Sequence, residues 1–300
     1  MKKLYFIISC FLLTGISILA QNKSLHIYRN GSISYAIEVS QIDSMRVVDF
    51  SNETFTANGV SFDMIAVNGG TFTMGLAGTT VYGPTIATVS NFKIGKTEVT
   101  QGLWYAVMGS YTQTQNYGSG SNYPVYYVSW NDIVGTSSSA AGYTVNGVTY
   151  YQNGFCYKLS QLTGGGRQFI LPTETQWEYA ARGGSGTGTY YAGTDSESSL
   201  SNYAWYSANS GITSHPVATK QPNALGIYDM SGNVFEWCSD WWQDTYAGGT
   251  NPTGPSSGSA RVLRGGSWSN SAHGSRSAYR FSLTPDFRNY DYGFRLALVP

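Results

Sequence analysis

The sequence has few charged residues and few metal-binding or disulfide-forming ones. Only 11% of its 300 residues are charged, and 17 Lys plus Arg balance 17 Asp plus Glu. This balance argues against the basic surface that a nucleic-acid partner needs. With three Cys and three His, the chain also lacks the residues for a disulfide framework or a His-rich metal centre.

Long apolar sequence is confined to the start of the chain. Lys2 and Lys3 precede an apolar run over residues 4–19, which ends at the small residue Ala20. This order predicts a cleavable signal peptide over residues 1–20, with an N-terminal anchor as the alternative, since the run is too short and too early for a retained span. We therefore expect an exported, monomeric protein without a membrane span, located in the periplasm, on the cell surface or outside the cell.

Glycine and aromatic residues are abundant, with 36 Gly, 24 Tyr and 8 Trp. This composition favours loops held by aromatic packing over long helices. Asn30-Gly31 lies between Leu25–Tyr28 and Ile33–Val39, which predicts a hairpin. We expect residues 21–60 to form a small β unit, with Glu53–Asn58 as its connector, ahead of a main domain over residues 61–300.

Two helices and several strands are expected in the main domain. Helical spacing predicts Val99–Met108, with Thr97 as its cap, and Glu174–Ala181, which Thr173 caps after Pro172. The expected strands and the inserted Asn146-Gly147 hairpin are Met64–Val67, Thr71–Met74, Val89–Ile94, Tyr143–Val145 and Val148–Tyr151.

Four motifs follow one another along residues 62–298. They are Val67-Asn68-Gly69-Gly70-Thr71-Phe72-Thr73-Met74-Gly75, Leu171 to Gly184, Asn223 to Trp237, and Arg261-Val262-Leu263-Arg264-Gly265-Gly266-Ser267-Trp268 with Gly293-Phe294-Arg295. Together they resemble the sulfatase-modifying-factor family, that of the formylglycine-generating enzyme. The resemblance implies an α+β domain, a variant of the C-type lectin-like fold with little regular secondary structure.

The third motif contains a candidate cation site. Asp229, Asn233 and Glu236 lie close together around a glycine, and hard cations prefer such oxygen ligands. The resemblance implies a structural calcium ion held by the side chains of Asp229 and Glu236 and the carbonyls of Gly232 and Val234. The alternative is that both carboxylates cap turns or pair with Arg264. The stretch that forms the family's other calcium site has no match between Asn202 and Pro222.

The residues that the family uses for catalysis are replaced. Its catalytic members bind copper(I) with two cysteines after the Gly-Gly-Ser motif, and the resemblance places Asn270 and Ser275 at these positions; neither supplies a thiolate. We therefore predict no catalytic residues, and copper is not expected. The alternatives are an altered metal-dependent oxidase of the family, a Ser267/His273/Asp286 hydrolase, or a structural component of the cell envelope.

Two other family positions concern cysteine. Cys156 matches a structural half-cystine of the family, whose partner position is Leu296 here. Cys156 and Cys238 are therefore expected to be buried free thiols.

The segment Arg261–Arg295, called the tail below, contains two kinds of residue. One kind comprises Ala272, Arg276, Ser277, Ala278, Arg280, Pro285, Asp286 and Arg288. These residues alternate with residues that triplets ending in a pyrimidine can encode. Lys, Glu, Gln, Met and Trp are absent from Ser269 onward. This pattern resembles the variable proteins of diversity-generating retroelements. It predicts a surface for an unknown protein, glycan or small molecule, with contact residues Ser269, Asn270, Ser271, His273, Ser275, Tyr279, Phe281, Phe287, Asn289, Tyr290 and Tyr292.

Overall fold

The computed structural model describes residues 16–21, 24–29, 32–38, 50–76, 83–111, 116–184 and 190–298, the first three ranges by their backbone. The chain divides into two compact units, Met1–Phe50 and Ser51–Pro300. None of the helices in the described ranges is long and apolar enough to span a bilayer.

The first unit is a three-stranded antiparallel sheet in the order β1-β2-β3. Strands β2 and β3 pair from Ser24 with Glu38 to Arg29 with Ser32, which confirms the expected hairpin and places a third strand beside it. Residues 1–15 of the predicted signal peptide lie outside the described residues, and its cleavage stays a prediction. The strands are β1 (Ile16–Gln21), β2 (Ser24–Arg29) and β3 (Ser32–Glu38).

The second unit begins with a strand that the sequence analysis treats as a connector. Glu53–Ala57 pairs with Val60–Val67 across a turn in which Asn58 and Gly59 have φ angles of 46° and 83°. The connector prediction for Glu53–Asn58 is therefore wrong, because this segment is an edge strand of a five-stranded antiparallel sheet. In spatial order its strands are β11 (Phe169–Ile170), β17 (Ala297–Leu298), β8 (Phe92–Gly95), β5 (Val60–Val67) and β4 (Glu53–Ala57).

Val89–Ile94, expected as one strand, is divided between two sheets. The break lies at Ser90 and Asn91, because the Ser90 amide donates to Asn251 and the Asn91 side chain accepts from Gly69. One part belongs to β8 and the other to β7. The sheet that contains β7 has the order β13 (Gly249–Thr250), β7 (Thr85–Val89) and β6 (Gly70–Met74).

The remaining strands form two sheets. One contains strands of the tail, and the other is the inserted hairpin. The first has the order β15 (Arg280–Leu283), β14 (Arg261–Arg264), β12 (Phe235–Trp241) and β16 (Tyr292–Gly293). The second pairs β9 (Ala141–Val145) with β10 (Val148–Tyr151), which confirms the Asn146-Gly147 hairpin.

In the described ranges, four α-helices pack against these sheets. The structure confirms Glu174–Ala181, in which Thr173 accepts from the Gln176 amide and Gln176 accepts from the Thr173 amide. The first helix starts at Gln101, and its cap is Thr100 instead of Thr97, whose hydroxyl donates to the Glu98 carbonyl. The helices are α1 (Gln101–Met108), α2 (Trp130–Val134), α3 (Phe155–Leu162) and α4 (Glu174–Ala181), with short 3-10 helices at Glu197–Asn202 and Ala272–Ser275.

Candidate functional site

The tail is fixed to helix α4 by buried arginine–carboxylate pairs. Arg264, fully buried in β14, contacts the carboxylate of Glu178 and lies 3.5 Å from that of Glu174. Arg280 in β15 binds Glu174 with two hydrogen bonds of 2.6 and 2.7 Å. Because charge-assisted bidentate pairs fix orientation, they set the register of the tail on α4.

Arginine also holds the tail backbone and packs on aromatic rings. Arg264 donates to the carbonyls of Ser277, at 2.8 Å, and Tyr279. Arg261 lies between the rings of Trp130 and Trp241, 3.8 and 3.4 Å from their centres. These contacts make the base of the tail a rigid support for the side chains that point outward.

Burial separates the two kinds of tail residue only in part. Of the fixed group that the sequence pattern indicates, Ala272, Ser277, Ala278 and Arg280 are buried, Arg276 and Pro285 are half-buried, and Asp286 and Arg288 are exposed. The expected contact residues are largely on the outside: Ser269, Ser271, His273, Phe281 and Phe287 are exposed, and Asn270, Tyr279, Asn289 and Tyr290 are half-buried. Most of the expected contact residues are therefore accessible, and the buried residues between them form the base of the tail.

Two of the expected contact residues are inside the protein. Ser275 is fully buried, and its carbonyl accepts a 2.7 Å hydrogen bond from the Ser231 hydroxyl. Tyr292 is only 8% exposed and packs edge-on against Phe235 and Trp237. The prediction is wrong for Ser275 and Tyr292, because both belong to the support and not to the surface.

Asn270, at one of the two positions where the resemblance implies a catalytic thiol, lies in a cluster of oxygen atoms. The Ser267 hydroxyl lies 2.6 Å from Oδ1 of Asn270 and 2.8 Å from Oδ2 of Asp291, which also accepts from Ser269. Burial raises the pKa of Asp291. The sequence analysis did not single out Asp291, because nothing in the local sequence shows that it folds back onto Ser267.

The other chemical interpretations of the tail find no support in these contacts. Ser267 uses Asn270 and Asp291 as partners, whereas His273 packs edge-on against Tyr279. Among the described residues, Ser267, His273 and Asp286 form no contact with one another. Cys156 and Cys238 are buried free thiols, as expected.

The turn predicted to hold calcium has an unusual backbone and an unpaired carboxylate oxygen. Asp229, Gly232 and Asn233 have φ angles of 57°, 79° and 58°. Oδ2 of Asp229 accepts from the Ala218 amide at 2.8 Å, whereas Oδ1 is buried and has no hydrogen-bond partner among the described residues. An unpaired buried acceptor requires an explanation, and a cation ligand is one. Asp229 therefore fits the calcium prediction.

Glu236 has a different partner from the one considered in the sequence analysis. Its two oxygens accept 2.6 Å hydrogen bonds from Arg295, and Oε2 also accepts from the Trp177 indole. Arg264, the expected alternative partner, binds Glu178 instead. Glu236 and Arg295 thus form a buried bidentate ion pair.

A third carboxylate, which the sequence analysis missed, adjoins the turn. Glu98 accepts from the Val234 amide at 3.1 Å and from the Asn233 side chain at 2.8 Å. Burial and the charges of Asp229 and Glu236 raise the pKa of Glu98 well above its usual value, and burial raises that of Asp229 to about 6. The cluster is thus richer in acidic groups than Arg295 alone can neutralise.

The calcium interpretation depends on main-chain ligands. Among the described residues, no three His, Cys, Asp or Glu side chains are grouped as a metal site. The carbonyls of Gly232 and Val234 would therefore have to complete the ligand set beside Asp229, with Glu236 shared between the ion and Arg295.

Comparisons with known proteins agree with the fold. Residues 52–299 match the sulfatase-modifying factor enzyme 1-like domain. The chain is 36% identical to the formylglycine-generating enzyme of Streptomyces coelicolor over 59% of this chain and 52% of that enzyme. It is 30% identical to the chaperone protein LppX of Paenibacillus barcinonensis over 79% of this chain and 89% of LppX.

The relatives also include partial matches and solved structures. A serine/threonine-protein kinase pkn1 of Chlamydia pneumoniae is 41% identical over 42% of this chain, but the match spans only 20% of the kinase. The match to the Streptomyces enzyme spans about half of that enzyme. The structure of Treponema denticola variable protein 1 superposes with a TM-score of 0.68 at 34% identity, covering 83% of this chain and 99% of that protein. PvdO from Pseudomonas aeruginosa superposes with a TM-score of 0.64 at 26% identity, covering 79% and 94%.

Proposed function

The chain belongs to the sulfatase-modifying-factor family, and from this we propose that it is an exported, calcium-stabilised protein that binds a ligand through its tail. The ligand is a protein, a glycan or a small molecule. The observation that carries the proposal is the division of the tail into an exposed set of side chains and a buried base. Rigid support beneath adaptable Tyr, Ser and Asn side chains is the arrangement of other binding surfaces.

We propose that the tail is a diversified surface. Most of its exposed residues are ones that adenine-directed mutation of Asn codons would yield, whereas Gly274, Ser275, Asp291 and Tyr292 of that group are buried. The similarity to Treponema denticola variable protein 1 supports this interpretation. A near-copy of the DNA that encodes Arg261–Arg295, differing at adenines beside a reverse-transcriptase gene, is the expected genomic context; its absence would remove the diversification claim.

The proposal does not include formylglycine-generating activity. The amide of Asn270 and the hydroxyl of Ser275 are hard ligands, whereas copper(I) prefers soft thiolates. Cys156 and Cys238 are no substitute, because burial raises the pKa of both thiols and so disfavours the thiolate form.

Oxidation of a sulfatase-type cysteine peptide tests this part of the proposal. The purified protein is incubated with copper and oxygen beside the Streptomyces coelicolor relative as a positive control, and formylglycine is measured by mass spectrometry. We expect product from the control and none from this protein. Copper-dependent product from this protein would refute the non-catalytic assignment and favour an altered oxidase.

The calcium component rests on Asp229. Its unpaired oxygen and the neighbouring acidic groups favour a divalent cation, which would neutralise their charge. The cation would also stabilise the turn that supports Trp268, because the Trp268 amide donates to the Asn233 carbonyl. Export rests on the predicted signal peptide over residues 1–20. Fractionation of cells that produce the full chain should find the protein outside the cytoplasm with a mature start near Gln21.

A further inference from the structure

A cavity of about 170 Å³ opens beside the tail, between helix α1 and the segment that leads into helix α2. Its walls include Trp104, Met108, Tyr111, Tyr127 and Asp132, and the tail contributes Arg288. The cavity is therefore built almost entirely from residues outside the exposed contact set. We propose that it is a fixed subsite for one neutral hexopyranose unit, such as the end of a glycan.

The polar wall of the cavity is a fixed pair without net charge. Arg288 binds both oxygens of Asp132, at 2.6 and 2.7 Å, and the amide and hydroxyl of Ser129 hold Asp132 in the capping box of helix α2. Since the charges cancel, the cavity exerts little attraction on an anion or a cation. Among the described residues, Nη1 of Arg288 has no acceptor. This N–H group, beside the Asp132 carboxylate, can therefore donate to neighbouring hydroxyl groups of a sugar ring.

The apolar wall suits the C–H face of a pyranose ring. The Trp104 ring is held by stacking on Phe155 at 5.1 Å and by its indole N–H, which donates to the Ser110 carbonyl. The Tyr111 hydroxyl forms hydrogen bonds with the Tyr126 main chain. These bonds fix the Tyr111 ring and occupy its polar end. In a small-molecule site, a few fixed polar groups beside aromatic side chains set the orientation of the ligand.

Tyr127 has a backbone conformation that is unfavourable for its residue type. Its φ angle is 60°, and its amide donates to the Asn289 carbonyl of the tail at 2.9 Å, while the next carbonyl, that of Val128, accepts from the Trp237 indole. Bulky residues with positive φ are rare, and such strained positions cluster at ligand clamps and active sites. The Tyr127 side chain lies on the cavity wall, and its amide joins that wall to the tail.

This subsite is distinct from the proposed tail surface, and glycoside binding can be measured separately from binding to the tail. Binding of methyl glucoside, methyl galactoside and methyl mannoside to the full protein is measured by saturation-transfer NMR and titration. Tyr127→Gly removes the ring and relieves the backbone, whereas Ile212→Gly makes the same backbone change at an exposed position with a φ of 65°. Arg288→Leu removes the donor group.

We expect at least one glycoside to bind, about tenfold or more weaker binding by Tyr127→Gly and Arg288→Leu, and unchanged binding by Ile212→Gly. Phe281→Ser removes a tail ring that packs on Phe235 and does not line the cavity, so it should leave glycoside binding unchanged even where it abolishes binding of a larger ligand. The subsite is refuted if the folded wild-type protein binds none of the glycosides, if Tyr127→Gly binds as well as wild type, or if phenylalanine amide binds more tightly than every glycoside.

Discussion

The buried base of the tail and its exposed surface are built on opposite physical principles. In the base, each charged group has a defined partner, as in the pairing of Arg280 with Glu174 and of Arg264 with Glu178. On the surface, Ser271, His273 and Phe287 are exposed, and among the described residues their side chains make no hydrogen bond or ion pair. A base of this kind would keep its geometry if the groups on the surface were exchanged.

Removing one charge from the base should have the largest effect on stability. Glu178→Gln leaves the fully buried guanidinium of Arg264 with Glu174, at 3.5 Å, as its remaining carboxylate and also removes the partner of Arg182. Breaking a buried pair costs about 3–5 kcal/mol. Urea unfolding measures the change. Lys96→Ala, which removes the half-exposed Lys96–Asp63 pair, is the control and should cost about 1 kcal/mol or less. Equal losses in the two variants would show that the base is not special.

Calcium removal should have the next largest effect. At a free calcium concentration about 100 times the Kd, binding stabilises the folded state by about 2.7 kcal/mol, and EGTA should remove this contribution and lower the Tm. Asp229→Asn should make the Tm insensitive to EGTA, whereas Asp244→Asn, an exposed control, should not. A wild-type Tm unaffected by EGTA would refute the calcium component.

The pH dependence of stability should change in Asp240→Asn. Burial and the charge of Glu174 raise the pKa of Asp240 to about 7 in the folded state, against about 3.9 when unfolded. The folded protein thus holds this proton more tightly, so its stabilising effect is present below about pH 4 and is lost as the pH rises through 7. The free energy of unfolding of Asp240→Asn, relative to wild type, should therefore increase from pH 4 to pH 7 by a few kcal/mol at most, since one pKa unit corresponds to about 1.4 kcal/mol.

Asp63→Asn is a control of opposite sign. The Thr54 hydroxyl and Lys96 lower the pKa of Asp63, although burial opposes them. The stability that Asp63 contributes is present above its unfolded pKa and is lost as the pH falls, so this variant should lose stability relative to wild type on going from acid to neutral pH. The same slope in both variants would contradict the assignment of these groups.

The smallest effect on stability is expected at the surface itself. Phe287 is 44% exposed, and Phe287→Ser should change the free energy of unfolding by about 0.5 kcal/mol or less. Tyr292→Ser, at a neighbouring ring that is 8% exposed, should cost about 3 kcal/mol because it leaves a cavity. Similar costs at the two positions would place Phe287 in the base.

Local signals made part of the fold predictable. Helix α4 carries its own start signal in Thr173 and Gln176, and the β9–β10 hairpin carries Asn146-Gly147. Helix α3 gives no such signal, because its cap, Gly154, makes no side-chain hydrogen bond. The cap of α1 was misassigned because Thr97 and Thr100 both precede the apolar stripe, and only packing decides between them.

The candidate site was predictable as a segment but not as a set of contacts. Alternation along the tail indicated which residues face outward, except at Ser275 and Tyr292, where the chain turns inward. The partners Glu236 and Arg295 are 59 residues apart, and Glu98 and Val234 are 136 apart. No local pattern specifies such contacts, since they depend on how the sheets close around α4.

A paired library selection is the decisive test of the division of the tail into base and surface. One library randomises the exposed residues Ser269, Ser271, His273, Phe281 and Phe287, and the other randomises the buried residues Ala272, Ser277, Ala278 and Arg280. Both are displayed on a cell surface and selected against two unrelated purified proteins. We predict that the first library stays folded and yields binders to both targets, whereas the second loses folded display. Binders that arise equally from both libraries, or an exposed-residue library that fails to fold, would contradict the division of the tail into a fixed base and an exchangeable surface.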